Sequence, residues 1–175
     1  MRNCAGPLSL ALFALIAAGC AAAPSKTIVI PANFDRAYDE YHYAPAVRFG
    51  DTVIVSGIPA GPGPDYETQV RNMFKRLKST LEAAGATLDD VVDISTFHTG
   101  PTDTKSFTAE YERFMVIHRE YFPHGYPAWT AVGTTALLVE GAPVEMRVVA
   151  VVGAGKNLKI QRAAKPAAPV EPAKP

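Results

Sequence analysis

The stretch from Asp65 to Thr99, DYETQVRNMFKRLKSTLEAAGATLDDVVDISTFHT, holds a helix and a strand in immediate succession. Val70, Met73, Phe74, Leu77, Leu81 and Ala84 fall at the three- and four-residue spacing of a single helical face. Asp65 can accept hydrogen bonds from the first unpaired backbone amides as an N-cap, and Gly85 supplies the left-handed residue that stops the helix. From Val91 to Thr99 the pattern turns β-branched, which reads as a strand. A striped helix followed at once by a strand predicts a sheet on which the stripe is buried.

Downstream, Asp103 can cap a second helix with Phe107, Tyr111, Phe114, His118 and Tyr121 on one stripe, running to Pro123. Thr130–Leu138 and Val144–Val152 read as two more strands, with a turn at Glu140-Gly141-Ala142-Pro143 between them. Upstream, Thr27–Ile30 is a strand stopped by Pro31, Ala46–Val55 is two short strands turning at Gly50-Asp51, and Ile58–Pro64 is a loop rich in Gly and Pro. The order βββαβαββ predicts an α+β domain, one mixed sheet with two helices on one face. Val144, Met146, Val148 and Ala150 alternate toward the helices, while Glu145, Arg147, Val149 and Val151 point away. That second face is too apolar for water, so other subunits are expected to cover it.

Outside this domain, placed at residues 27–155, the two ends have different chemistry. Leu8–Ala18 is an uncharged apolar run too short to span the ~30 Å hydrocarbon core of a bilayer, which predicts a signal peptide over residues 1–19. Ala17-Ala18-Gly19-Cys20 resembles the lipobox of bacterial lipoproteins, so Cys20 is the expected lipid attachment point and residues 20–26 a short linker to the membrane. The expected location is then the bacterial envelope, with Ala21 after the cysteine favouring the outer membrane on its periplasmic side. The alternatives are an ordinary signal peptide cleaved near Ala23 and an uncleaved cytoplasmic chain. At the other end, residues 156–175 are rich in Ala, Pro and Lys, with Pro166, Pro169, Pro172 and Pro175 at a three-residue period, and predict a disordered tail without a core.

Across 175 residues, 17 Lys and Arg balance 17 Asp and Glu. A net charge of zero without a basic stripe argues against nucleic acid as a partner, because that affinity comes from cations displacing counterions. Cys4 and Cys20 are the two cysteines, so the domain has no thiol for a disulfide, a zinc site or a nucleophile. The sequence has no Walker A loop, no G-x-S-x-G elbow and no His-Glu-x-x-His among His42, His98, His118 and His124. Neither a metal nor an organic cofactor is implied.

Tyr43-Ala44-Pro45-Ala46-Val47-Arg48 with Gly50-Asp51, then Val55-Ser56-Gly57, Leu81-Glu82-Ala83-Ala84-Gly85-Ala86, Leu88-Asp89-Asp90-Val91-Val92 and Val144-Glu145 follow one another in the order and spacing of the Rid (YjgF) family, also called the L-PSP endoribonuclease family. The resemblance spans nearly the whole domain. It implies a chorismate-mutase-like fold and a homotrimer whose sheets form a central barrel, with three small-molecule clefts between subunits. The family's best-known activity is hydrolysis of reactive enamine and imine acids to keto acids and ammonia.

By that resemblance Glu145 matches the water-positioning glutamate, Tyr43 the cleft tyrosine and Gly57 a glycine whose backbone lines the cleft, with Ile58 where a glutamine is usual. Trp129 stands where active deaminases carry the arginine that clamps the substrate carboxylate, and Thr108 where the second helix usually has asparagine. An indole offers a π face and one N–H, so it cannot replace a bidentate guanidinium. Trp129 is therefore either a trimer-interface anchor or a stacking surface for an apolar or aromatic ligand. Arg147, two residues beyond Glu145 on the same strand face, is either that glutamate's salt-bridge partner or an alternative anion clamp. The expectation is a divergent imine or enamine hydrolase whose activity on small imine acids is weak or absent; a non-catalytic ligand- or partner-binding module at the membrane surface is the alternative.

Overall fold

The computed structural model describes residues 25–164, so the apolar N-terminal run, Cys20 and the proline-periodic end lie outside the described residues. Six strands, β1 (Lys26–Val29), β2 (Ala46–Phe49), β3 (Thr52–Pro59), β4 (Val91–His98), β5 (Ala128–Gly133) and β6 (Val144–Val151), form one mixed sheet. Their order is β1-β2-β3-β6-β4-β5, all neighbours antiparallel except β4 and β5. Helices α2 (Tyr66–Ala83) and α3 (Thr104–Tyr121) lie on one face, and a short helix α1 (Asp35–Asp39) follows β1.

Both long helices begin as their sequences dictate. Asp65 accepts from the Thr68 amide at 2.7 Å, and Asp103 forms a reciprocal capping box with Ser106. Gly85 closes α2 at φ 78°, a conformation that favours glycine. The α2 stripe of Val70, Met73, Phe74, Leu77 and Leu81 is buried against Val53, Val55, Val144, Met146, Val148 and Ala150 of the central strands. Phe74 joins the helix layers through Phe114 and Tyr121, at centroid distances of 5.7 and 4.6 Å.

Three boundaries differ from the sequence reading. β3 continues through Ile58 and Pro59, where a loop is expected, because an extra residue between Val55 and Ile58 restores the alternation and lets Ile58 face the core opposite Met146. β5 starts at Ala128 and ends at Gly133 instead of running from Thr130 to Leu138. The Thr134 amide donates to His98 O at 2.8 Å where the ladder with β4 ends, and the apolar residues beyond enter a loop in which Leu138 is 99% exposed. α1 has no buried residue and no apolar stripe, so periodicity had nothing to report there. At the C-terminal side a 3-10 turn spans Ala154–Asn157, with the Gly155 amide donating to Asp90 at 3.1 Å and Leu158 lying against Gly125.

Candidate functional site

The polar groups of interest sit where β3 changes register. Glu145 on β6 pairs with Pro59 of β3 on one side and Phe97 of β4 on the other, on the face away from α2 and α3. Gly57, inside the bulge, lies flat against the Glu145 side chain, and a Cβ at position 57 would overlap Glu145 Oε1. A side chain at position 57 would push the Glu145 carboxylate out of its place, so glycine here sets where that group lies. Tyr43 reaches the same place from the segment after α1, and its hydroxyl donates to Gly57 O. The segment is held from both ends: the Tyr43 amide donates to Ala37 O of α1 at 2.9 Å, and Ser56 Oγ donates to Ala44 O at 2.7 Å.

This neighbourhood alters the titration of both acids. Burial raises the Glu145 carboxyl above the usual carboxylate range. Burial also raises the Tyr43 phenol, and the nearby Glu145 charge raises it further, while Arg76 opposes the rise. A partly desolvated carboxylate with an elevated pKa, beside a phenol held by a backbone carbonyl, can accept a proton from water near neutral pH and return it to a leaving group.

Arg76 has no signal in the sequence, where it reads as one more polar position on α2. Its guanidinium extends past the end of β3, with Nη1 a long 3.5 Å from Pro59 O and Cζ 5.5 Å over the Phe34 ring. Neither a motif nor periodicity could have found it, because its place depends on where α2 crosses the bulged strand.

The remaining sequence candidates lie elsewhere. Arg147 is exposed on the Glu145 face and forms no ion pair with Glu145 among the described residues. Trp129 points to the helix face, stacked on Tyr111 at 4.7 Å and His118 at 4.8 Å, and its indole N–H donates to Thr96 Oγ1 at 3.0 Å. Thr108 is exposed on α3, its hydroxyl donating to Thr104 O at 2.9 Å. Within one chain, then, Glu145, Tyr43 and Gly57 meet, while Trp129 and Thr108 belong to the helix layer. Beneath Trp129 runs a buried polar chain: Thr96 Oγ1 lies 2.9 Å from His98 Nε2, and His98 Nδ1 lies 2.8 Å from Glu110. With Nδ1–H donating to Glu110, Nε2 accepts the Thr96 hydroxyl, whose oxygen accepts from Trp129.

The family model described as endoribonuclease L-PSP matches residues 35–152, which include every element from α1 to the end of β6. The chain belongs to the endoribonuclease L-PSP family. The RutC family protein YjgH of Escherichia coli (strain K12) is 40% identical over 131 residues, covering 71% of this chain and 94% of that protein. A 2-iminobutanoate/2-iminopropanoate deaminase of Salmonella typhimurium (strain LT2) is 33% identical over 87 residues, 46% of this chain and 68% of the deaminase. Among solved structures, Rv2704 of Mycobacterium tuberculosis, described as a member of the YjgF/YER057c/UK114 family, superposes with a TM-score of 0.62 at 30% identity, covering 73% of this chain and all of that one. Family membership and the single α+β domain with a mixed six-stranded sheet thus agree with the sequence reading. The L-PSP resemblance also places Glu145, Tyr43 and Gly57 on positions that the fold brings together.

Proposed function

We propose that this L-PSP family protein is an exported hydrolase of small imine or enamine acids, working in a cleft that subunits complete. The observation that carries the proposal is the packing of the half-buried Glu145 carboxylate on Gly57 beside the Tyr43 hydroxyl. In the reaction a water molecule adds to the C=N carbon as Glu145 takes one of its protons. The proton passes to the nitrogen to give the carbinolamine; Glu145 then takes the hydroxyl proton and hands it to the amine, so that the C–N bond breaks and ammonia leaves as the carbonyl forms. Tyr43, a neutral phenol at physiological pH, keeps Gly57 and its backbone in place at the edge of the site through its hydrogen bond to Gly57 O. The naming of a Salmonella relative as an iminobutanoate deaminase supports the reaction class, and the net charge of zero favours a small molecule over nucleic acid. Export rests on the lipobox-like run before Cys20.

The test is hydrolysis of 2-iminopropanoate generated in situ by an amino-acid oxidase. Wild type is expected to clear the imine, and Glu145→Gln to lower the rate about 100-fold or more while leaving the fold intact. Activity should fall with acidification as Glu145 protonates, from a higher pH than an ordinary glutamate would give, because its pKa is raised. Unchanged turnover in Glu145→Gln refutes the assignment. A second reading, a binding module without chemistry, is favoured by a cavity of 240 Å³ bordered by Trp129, Tyr111, Met115, Arg119 and Tyr126 on the helix side. Ligand binding there together with an inert Glu145 would select it.

A further inference from the structure

An imine acid carries a carboxylate that must be held while water attacks the adjacent carbon, and the residue expected to hold it by family resemblance is an indole packed into the helix layer. We infer that Arg76 of α2 is the carboxylate-binding residue of this site, fixing the anionic end of the substrate across Tyr43 from Glu145. The inference rests on the proposed hydrolase reading and adds to it the residue that selects anionic substrates.

Four observations support it. Arg76 is only partly exposed, and it has no carboxylate partner among the described residues, whereas Arg71 and Arg113 of the same helix layer are paired with Glu120 and Glu67. A half-desolvated guanidinium without a counter-ion is a site for an anion. Its position is built: the Phe34 ring lies beneath the guanidinium, Pro59 O accepts one long contact, and Gly61 borders Nη1, where an added Cβ would come into van der Waals contact at 3.7 Å. Most of the guanidinium's five N–H donors remain unused by these contacts. Finally, Pro59 is the direct cross-strand neighbour of Glu145, so the residue that Arg76 touches and the carboxylate sit side by side on adjacent strands. The Tyr43 phenol feels both charges, raised by Glu145 and lowered by Arg76.

The competing cations are less suited. Arg147 shares the Glu145 face but is exposed, without a ring or a carbonyl to orient it. Arg119 borders the Trp129 cavity, whose lining includes neither Tyr43 nor any residue of β3.

The test uses the full chain and pyruvate, a stable 2-oxo acid, with its uncharged amide as control, read by titration calorimetry. Wild type is expected to bind pyruvate, and Arg76→Ala and Arg76→Gln to weaken it about 30-fold or more, with Arg76→Lys intermediate. Affinity for the amide should not distinguish the variants. Arg71→Ala, one turn away and ion-paired elsewhere, controls for the helix. Pyruvate affinity unchanged in both Arg76 variants, no pyruvate binding by wild type, or a loss that falls on Arg147→Ala instead each overturns the inference. Parallel imine assays separate the two claims. Hydrolysis that needs Glu145 but ignores Arg76 leaves the enzyme without this clamp; Arg76-dependent pyruvate binding without hydrolysis leaves the clamp without the enzyme.

Discussion

By family resemblance Trp129 stands where a clamp arginine is expected, yet its surroundings are those of a residue packed against the core. Tyr111 and His118 both stack on it, and the indole N–H is spent on Thr96. Replacing it with arginine places a cation in the aromatic layer and removes a donor from the Thr96–His98–Glu110 chain. Trp129→Arg should therefore destabilise the protein by about 3 kcal/mol in urea denaturation, with no gain in imine-acid hydrolysis. An increase in activity without loss of stability would show that the side chain leaves the helix layer and reaches the cleft. At this scale the sequence is legible only in part. Glu145 lies far along the chain from Tyr43 and Gly57, and only the likeness to a family joins the three. Arg76 carries no such signal, because a charged residue on an amphipathic helix looks the same whether it faces water or a bulged strand.

Helix α3 behaves as one element with its own pH response. His118, on its inner stripe, is 3% exposed, sits 4.7 Å from Phe122 and 4.8 Å from Trp129, and has no partner for Nε2. Burial pushes its pKa down to about 4, with help from the Arg119 charge. The unfolded chain, with an ordinary histidine pKa near ~6.5, binds the proton more readily than the native state, so acid favours unfolding. The stabilisation is complete above that value and is lost as pH falls toward 4, by on the order of 2 kcal/mol. Urea denaturation at pH 7.5 and pH 5, both chosen as about one unit or more either side of that value, is the measurement, with His118→Phe expected to flatten the difference. An equal slope in that variant would assign the acid sensitivity to other groups. Elements of this kind were the most legible: the α2 and α3 stripes and their aspartate caps are local properties of sequence. The end of β5 was not, because Thr134–Leu138 has strand-like composition and only the available partner, β4, sets where pairing stops.

The whole molecule presents a second sheet face bearing Ile54, Phe97, Val132, Val149 and Val151 around Glu145 and Arg147, with Ile54 and Val132 39% and 42% exposed in the single chain. Such a surface is stabilised by association, and the family resemblance makes a trimer the expected form. Light scattering on the full chain, with the mass of bound detergent subtracted, should give three copies, and a stable monomer at micromolar concentration refutes this. The strand order also bears on how the protein comes into being. β6 is the last strand made, yet it occupies the middle of the sheet, with β3 on one side and β4 on the other. Thr52 cannot find Val151 until nearly the whole domain has left the ribosome or the translocation channel. Until then the β1-β2-β3 meander and the β4-α3-β5 unit are two separate half-sheets, each with a bare inner edge. Joining them pays loop-closure entropy across most of the chain, so folding should be slow for the protein's size and its incomplete forms dependent on a chaperone to keep those two edges apart from other chains.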